Sequence, residues 1–254
     1  MVAVAIDGPA GAGKSTLARR LAKHKGFIYV DTGALYRAIG LKMIRNGVGC
    51  DNLSAVEKLL ASTELDIRFI DGEQVVMLDN ENVNGLIRTP EVSMMASDCS
   101  ALPVVRAFLL DMQRNLAKRN SVVMDGRDIG TVVLPDAKVK IFLTASAVAR
   151  ADRRFKELTE KGMTVEFDEV LKDIEQRDYN DSHRAIAPLK QADDAALVDT
   201  TELDLEESFE LLLKTVELKA GQSYVLQNNE VDSLSLYSHF YASRTSRYGE
   251  YTKK

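Results

Sequence analysis

The chain has 254 residues, 45% of them apolar, with 33 lysines and arginines against 38 aspartates and glutamates, a net charge of −5. That size suits one globular domain with insertions better than two equal domains. The acidic balance excludes a general attraction to polymeric nucleic acid or an anionic membrane, so an anionic ligand must be gripped by local basic clusters.

The first element is a short apolar strand, Val2-Ala3-Val4-Ala5-Ile6. It runs into Gly8-Pro9-Ala10-Gly11-Ala12-Gly13-Lys14-Ser15-Thr16, which fits G-x-x-x-x-G-K-[ST] on Gly8, Gly13, Lys14 and Ser15. A helical pattern with Leu17 and Leu21 follows. Gly8, Gly11 and Gly13 allow backbone geometry closed to larger residues, so successive N–H groups can turn toward one anion. The helix start adds partial positive charge. Lys14 is expected to reach the β- and γ-phosphates of a nucleotide, with the Ser15 hydroxyl facing Mg²⁺.

Further strands are expected at 27–30, 121–124, 139–143 and 196–199. Helical patterns at about 14–25, 33–46, 53–62, 90–98, 102–118, 147–161, 165–179 and 205–219 separate them. This alternation is the pattern of a doubly wound α/β fold on a five-stranded parallel sheet. Gly26 and Gly162 suit positions just past helices, and Thr32 and Ser146 suit N-caps. Residues 63–88 break the pattern. Leu65-Asp66-Ile67-Arg68-Phe69 alternates, Val75-Val76-Met77-Leu78 does so less clearly, and Asp71-Gly72-Glu73 lies between as a hairpin turn. A small antiparallel sheet is therefore inserted in the core. The stretch 221–254 holds Tyr224, Tyr237, Tyr241, Tyr248 and Tyr251 among many serines, without helical period, and reads as a loose appendage. Cys50 and Cys99 lack metal-ligand spacing and suit reduced thiols of a cytoplasmic protein. The N-terminus reads as a core strand, and no apolar run reaches about 18 residues. A monomer is expected.

Ligands of open α/β sheets bind at the carboxyl ends of the strands. Asp31-Thr32-Gly33-Ala34-Leu35-Tyr36-Arg37 follows the second strand, and Asp125-Gly126-Arg127-Asp128 the third. Asp125 ends an apolar run and could hold Mg²⁺ through water. Arg150, Arg153 and Arg154 follow the fourth strand, with Arg150 and Arg154 on one helical face. Arg177, Asp181 and Arg184 line another face if their helix runs that far. Any one arginine could be a solvated charge, and Asp181 could pair with Arg177 or Arg184. Clustered at several strand ends, however, guanidinium groups suit a grip on several phosphates.

At these motifs the chain resembles bacterial-type cytidylate kinases, over Val2 to about Thr201. The similarity rests on Ile6 to Lys14, Asp31 to Arg37, Asp125-Gly126-Arg127-Asp128-Ile129-Gly130-Thr131-Val132-Val133, and Lys140-Ile141-Phe142-Leu143. It continues through Arg177-Asp178, Asp181 and Arg184-Ala185-Ile186-Ala187-Pro188-Leu189. It implies phosphoryl transfer from ATP to CMP or dCMP, with Mg²⁺, in pyrimidine nucleotide metabolism. It also implies a core over 1–220, an NMP-binding insert at about 63–98 and a short lid at about 150–164. Residues 8–16, Arg150 and Arg154 match positions at ATP. Tyr36, Arg37 and Arg127 match positions at the acceptor phosphate, and Ser97, Arg106 and Asp128 match readers of the cytosine edge. Arg177, Asp181 and Arg184 match positions at the sugar and the transferring phosphate. Lys14, Arg127, Arg154 and Arg177 would carry the catalysis. Thr32 stands where many members have serine, and keeps the hydroxyl at the acceptor. The rival readings are a kinase for another small acceptor (UMP, AMP or shikimate) and a P-loop switch without an acceptor.

Overall fold

The computed structural model describes residues 1–225, the last four through their backbone. Residues 221–225, expected to open a loose appendage, are instead helical, and the rest of that stretch, 226–254, lies outside the described residues. The structure divides after Lys219, and everything below concerns Met1–Lys219.

Five strands form a parallel sheet: β1 (Ala3–Asp7), β2 (Ile28–Asp31), β6 (Val122–Gly126), β7 (Val139–Thr144) and β8 (Ala196–Asp199). Their spatial order is β2-β6-β1-β7-β8. The chain thus winds to one side of β1 first and to the other afterwards, and the reversal puts a crevice at the carboxyl end of β1. The central strands are apolar on both faces, as a sheet covered on both sides requires. One face is covered by α1 (Lys14–Lys25) and α8 (Leu205–Val225), which pack Leu17, Leu21 and Leu212 against Ile6, Val123 and Ile141.

The opposite side is a helical layer built on α2 (Thr32–Arg45), α3 (Leu53–Ala61), α4 (Pro90–Cys99) and α5 (Pro103–Arg119). Leu35, Ile39, Met43 and Leu109 are fully buried there. Gly40 brings α2 and α4 together, since a Cβ would lie 3.1 Å from the Ala96 nitrogen.

The insert is a three-stranded antiparallel sheet, β3 (Leu65–Ile70), β4 (Glu73–Leu78) and β5 (Glu81–Asn82). The short β5 was not readable in the sequence. Asp71 and Gly72 have φ of 52° and 80°, so both central turn residues are left-handed, as a tight hairpin demands. Side chains of β3 alternate between half-buried and exposed. Gln74 ties this sheet to the core. Its side-chain oxygen accepts the Asp31 N–H at 2.8 Å and its amide donates to the Asp31 carbonyl at 3.2 Å.

Two arms, α6 (Ala147–Glu160) and α7 (Phe167–His183), pack through Ala151, Val170 and Ile174 as a small cluster of their own. Gly26 and Gly162 take left-handed backbone past α1 and α6 (φ 66° and 77°), and Ser146 caps α6 by accepting the Ala149 N–H. The expected cap at Thr32 is corrected. Asp31 caps α2 by accepting the Ala34 N–H at 2.9 Å, because the Thr32 hydroxyl is already donated to the Asp125 carbonyl at 2.7 Å. A second correction concerns α7, which continues through Asp181 but ends before Arg184. That residue has ψ 141° and so leaves the shared helical face. Among the described residues, no single helix is long and apolar enough to cross a membrane.

Candidate active site

The loop after β1 is shaped by main-chain crowding. Gly8, Gly11 and Gly13 have φ of 149°, 74° and 83°. At Gly8 a Cβ would fall 1.9 Å from the Leu143 carbonyl oxygen, so any other residue would push β1 and β7 apart. Lys14 opens α1 and is buried at 5% exposure, its Nζ donating to the Pro9 carbonyl at 2.6 Å. Burial and the nearby Arg127 push its ammonium down to about 7, against the pull of Asp125, Asp181 and Asp7.

Next to it, the Ser15 hydroxyl donates to Asp125 Oδ2 at 2.9 Å, and the Tyr29 hydroxyl donates to Asp125 Oδ1 at 2.9 Å. Burial and Asp31 push the Asp125 carboxyl up to about 6. Among the described residues no group of three or more His, Cys, Asp or Glu could cage a metal. A hydroxyl beside one carboxylate is instead the oxygen-only, partial set that suits Mg²⁺ shared with nucleotide phosphates and water.

A second group of charges stands at the ends of β2 and β6. Arg37 donates to Asp31 Oδ2 at 2.8 Å, while its Nε is buried without a hydrogen-bond partner. Arg127 donates to Asp181 Oδ2 at 2.6 Å and is near enough to Lys14 to bear on its charge. Asp128 is held between two guanidinium groups. Arg106 donates to its Oδ2, and Arg184 donates to Oδ1 at 3.2 Å. Arg106 also donates to the Ser100 carbonyl and lies 5.8 Å from the centre of the Tyr36 ring, and Arg184 also donates to the Ser100 hydroxyl. All three charged side chains are 10% exposed or less. Ser97, Asp181 and Arg184 line a cleft of about 360 Å³ with Ala101, Tyr179 and His183. Arg177 is half-buried one turn along α7 from Ile174, whose side chain packs near Gly11 of the loop. Arg177 makes no hydrogen bond or ion pair among the described residues.

The structure treats the α6 arginines differently from one another. Arg150 is 4% exposed and donates to the Ala10 carbonyl at 2.9 Å, to the Ala145 carbonyl at 2.9 Å and to both oxygens of Asp178. It therefore braces the loop against α7. Arg153 donates to the Thr200 carbonyl at 2.5 Å. Arg154 is exposed and pairs with Glu157 at 2.8 Å, outside the converging group. The shared helical face of Arg150 and Arg154 thus does not translate into a shared target.

The sequence reading passed over Tyr29, Asp31, Ser100 and Asp178. Asp31 and Asp178 lie in the sequence close to Arg37 and Arg177, a carboxylate–arginine spacing that signals pairing. Tyr29 and Ser100 carried none.

A family model described as cytidylate kinase matches residues 4–218. The cytidylate kinase of Caldicellulosiruptor bescii is 50% identical over 228 residues, covering 90% of this chain and 98% of that protein. That of Carboxydothermus hydrogenoformans is 49% identical over 216 residues, covering 85% and 97%. Among solved structures, a gluconokinase from Sinorhizobium meliloti 1021 aligns at 14% identity and a TM-score of 0.48, over 90% of this chain and 98% of its own.

Proposed function

This chain belongs to the cytidylate kinase family, and from that premise we infer that it transfers the γ-phosphoryl group of ATP to CMP or dCMP, giving CDP or dCDP. The observation that carries the reading is one connected wall of side chains. It runs from Lys14 through Arg127 and Asp181 to the Arg184–Asp128–Arg106 unit, which supports phosphate-gripping and base-reading groups acting side by side.

ATP phosphates bind the main-chain amides of residues 8–16, with Lys14 at the β- and γ-oxygens. Ser15 and Asp125 would hold Mg²⁺, which would supply positive charge against the phosphate oxygens. The acceptor oxygen belongs to a phosphate already ionised at neutral pH, so the protein supplies no general base. Its work is in-line positioning and charge stabilisation. Arg37 and Arg127 take the acceptor phosphate beside Tyr36 and Thr32, the buried Arg37 Nε being a donor in want of an acceptor. Arg177, uncommitted to any carboxylate, neutralises the transferring group. Ser97, Arg106 and Asp128 match the acceptor and donor edge of cytosine, and Asp181 and Arg184 stand toward the sugar. Arg154 would have to leave Glu157 to reach ATP. Closure of the α6–α7 arms excludes water, whose attack is the competing reaction. The protein works as a cytoplasmic monomer.

The test is ADP release from ATP and Mg²⁺ with each monophosphate in turn. Stimulation by CMP and dCMP well above UMP and AMP is expected. Equal stimulation by UMP or AMP would make it a kinase of another acceptor, and stimulation by none would make it a switch.

A further inference from the structure

Asp128 owes its place to the turn that follows it. Between β6 and β7 the chain makes Ile129–Val133, a single π turn, with the Val133 N–H donated to the Asp128 carbonyl at 3.1 Å and the Leu134 N–H to the Ile129 carbonyl at 2.7 Å. One wide turn of this kind is intrinsically poor, and its first N–H and last C=O groups have no partners inside it.

Two charged side chains from distant elements supply those partners. Asp7, the last residue of β1, is 4% exposed and accepts the Ile129 N–H on Oδ1 and the Gly130 N–H on Oδ2, each at 2.7 Å. At the other end Arg114 of α5 donates from Nε to the Val133 carbonyl at 3.0 Å and from Nη2 to the Val132 carbonyl at 2.9 Å. The approach of Asp7 leaves no room at residue 130, where a Cβ would lie 3.3 Å from Asp7 Oδ2 and 3.2 Å from Lys140 Cδ. One helix, α5, therefore holds both sides of the device: Arg106 meets the Asp128 carboxylate, and Arg114 two turns later meets the end of the turn that carries it. Asp7 in turn precedes Gly8 and binds the acceptor-side turn to the start of the ATP loop.

We propose that Asp7 and Arg114 are positioning residues for the acceptor nucleotide, pinning the Ile129–Val133 turn at opposite ends so that Asp128 meets the base in one fixed orientation. The proposal rests on the reading of Asp128 as a base-facing carboxylate. Both residues act through the turn.

The test uses the full chain with Asp7→Asn, Arg114→Met and Arg114→Lys. Each removed charged hydrogen bond is expected to raise KM for CMP about tenfold and to shrink the CMP-over-UMP preference about tenfold. In Arg114→Met, which lies away from the ATP loop, KM for ATP should stay within about twofold, and Arg114→Lys should recover part of the loss. Folded variants with unchanged CMP KM and base preference would overturn the proposal. So would ATP and CMP parameters that worsen together in Arg114→Met, the mark of a merely structural role. Where Asp7→Asn does not fold, Arg114→Met decides, since its bonds lie at the half-exposed end. Amide hydrogen exchange on the wild-type chain gives a readout free of substrate. Ile129 and Gly130 should exchange as slowly as the core of β6, and fast exchange would refute the pin. If the wild-type chain shows no preference for CMP, the reading of Asp128 fails and the acceptor role falls with it, while the exchange still reports on the pin by itself.

Discussion

In the proposed reaction the ATP side and the acceptor side of the site would hold the same chemical group by opposite means. On the ATP side nine consecutive residues would shape a main-chain nest, with buried Lys14 inside it and buried Arg150 bracing it through the Ala10 carbonyl. On the acceptor side the cations are five arginines, from α2, α5, the turn after β6, and α7 with the residue that follows it, and nearly every one already leans on a carboxylate: Arg37 on Asp31, Arg127 on Asp181, Arg106 and Arg184 on Asp128. A buried guanidinium with no partner would be costly. Pairing lets a protein of net charge −5 concentrate arginines at one place, oriented before any ligand arrives. Arg177 is the exception on that side, and the comparison assigns it a different task from its neighbours.

The sharpest way to break the contrast is to remove the two cations that lack a carboxylate contact. Lys14→Ala and Arg177→Ala are each expected to lower kcat by ~10³-fold or more. KM for CMP should change only a few-fold in Lys14→Ala. Steady-state kinetics with ATP and CMP measure both. A loss in Arg177→Ala confined to KM would return it to the class of ground-state phosphate binders and erase the distinction.

The next effect tests the paired side. Asp128→Ala strips the partner from two buried guanidinium groups. Its stability should fall by about 3–5 kcal/mol in urea unfolding, and its preference for CMP over UMP by ~10-fold or more. Asp128→Asn keeps an acceptor but not the charge, and should fall between. A variant that loses stability while keeping its base preference would make Asp128 a strut and not a reader.

The same contrast explains what could be read from the chain alone. The ATP loop, the five parallel strands and the inserted hairpin were legible because each is a local pattern: a spacing, an apolar run, or Asp-Gly between alternating residues. The acceptor-side residues were named through resemblance, but their wiring could not be read, because wiring is tertiary. Tyr29 meets Asp125 across 96 residues, and Arg127 meets Asp181 across 54. Periodicity placed Arg150 and Arg154 together, yet one is walled in by Ala10, Ala145 and Asp178 while the other pairs with Glu157 in solvent. The π turn escaped notice for another reason. Ile129-Gly130-Thr131-Val132-Val133 is rich in β-branched residues, which favour extended backbone, and two remote charges overrule that preference.

The smallest predicted effect concerns the lysine of the ATP side. Burial and Arg127 hold Lys14 down to about 7, so at pH 8 most of the free protein carries it neutral. Triphosphate oxygens favour the ammonium and raise it, while the ATP phosphates themselves are fully ionised at that pH. ATP binding should therefore draw in close to one proton per site at pH 8. Calorimetric titrations in buffers of differing ionisation enthalpy measure that uptake directly. Lys14→Arg, which stays charged throughout, should abolish it. Zero uptake by the wild-type chain would mean that the nest of amides meets a lysine already charged. The acceptor side, whose cations are arginines, should show no uptake when CMP binds alone at pH 8. That difference in proton traffic would separate the two halves of the crevice without altering a residue.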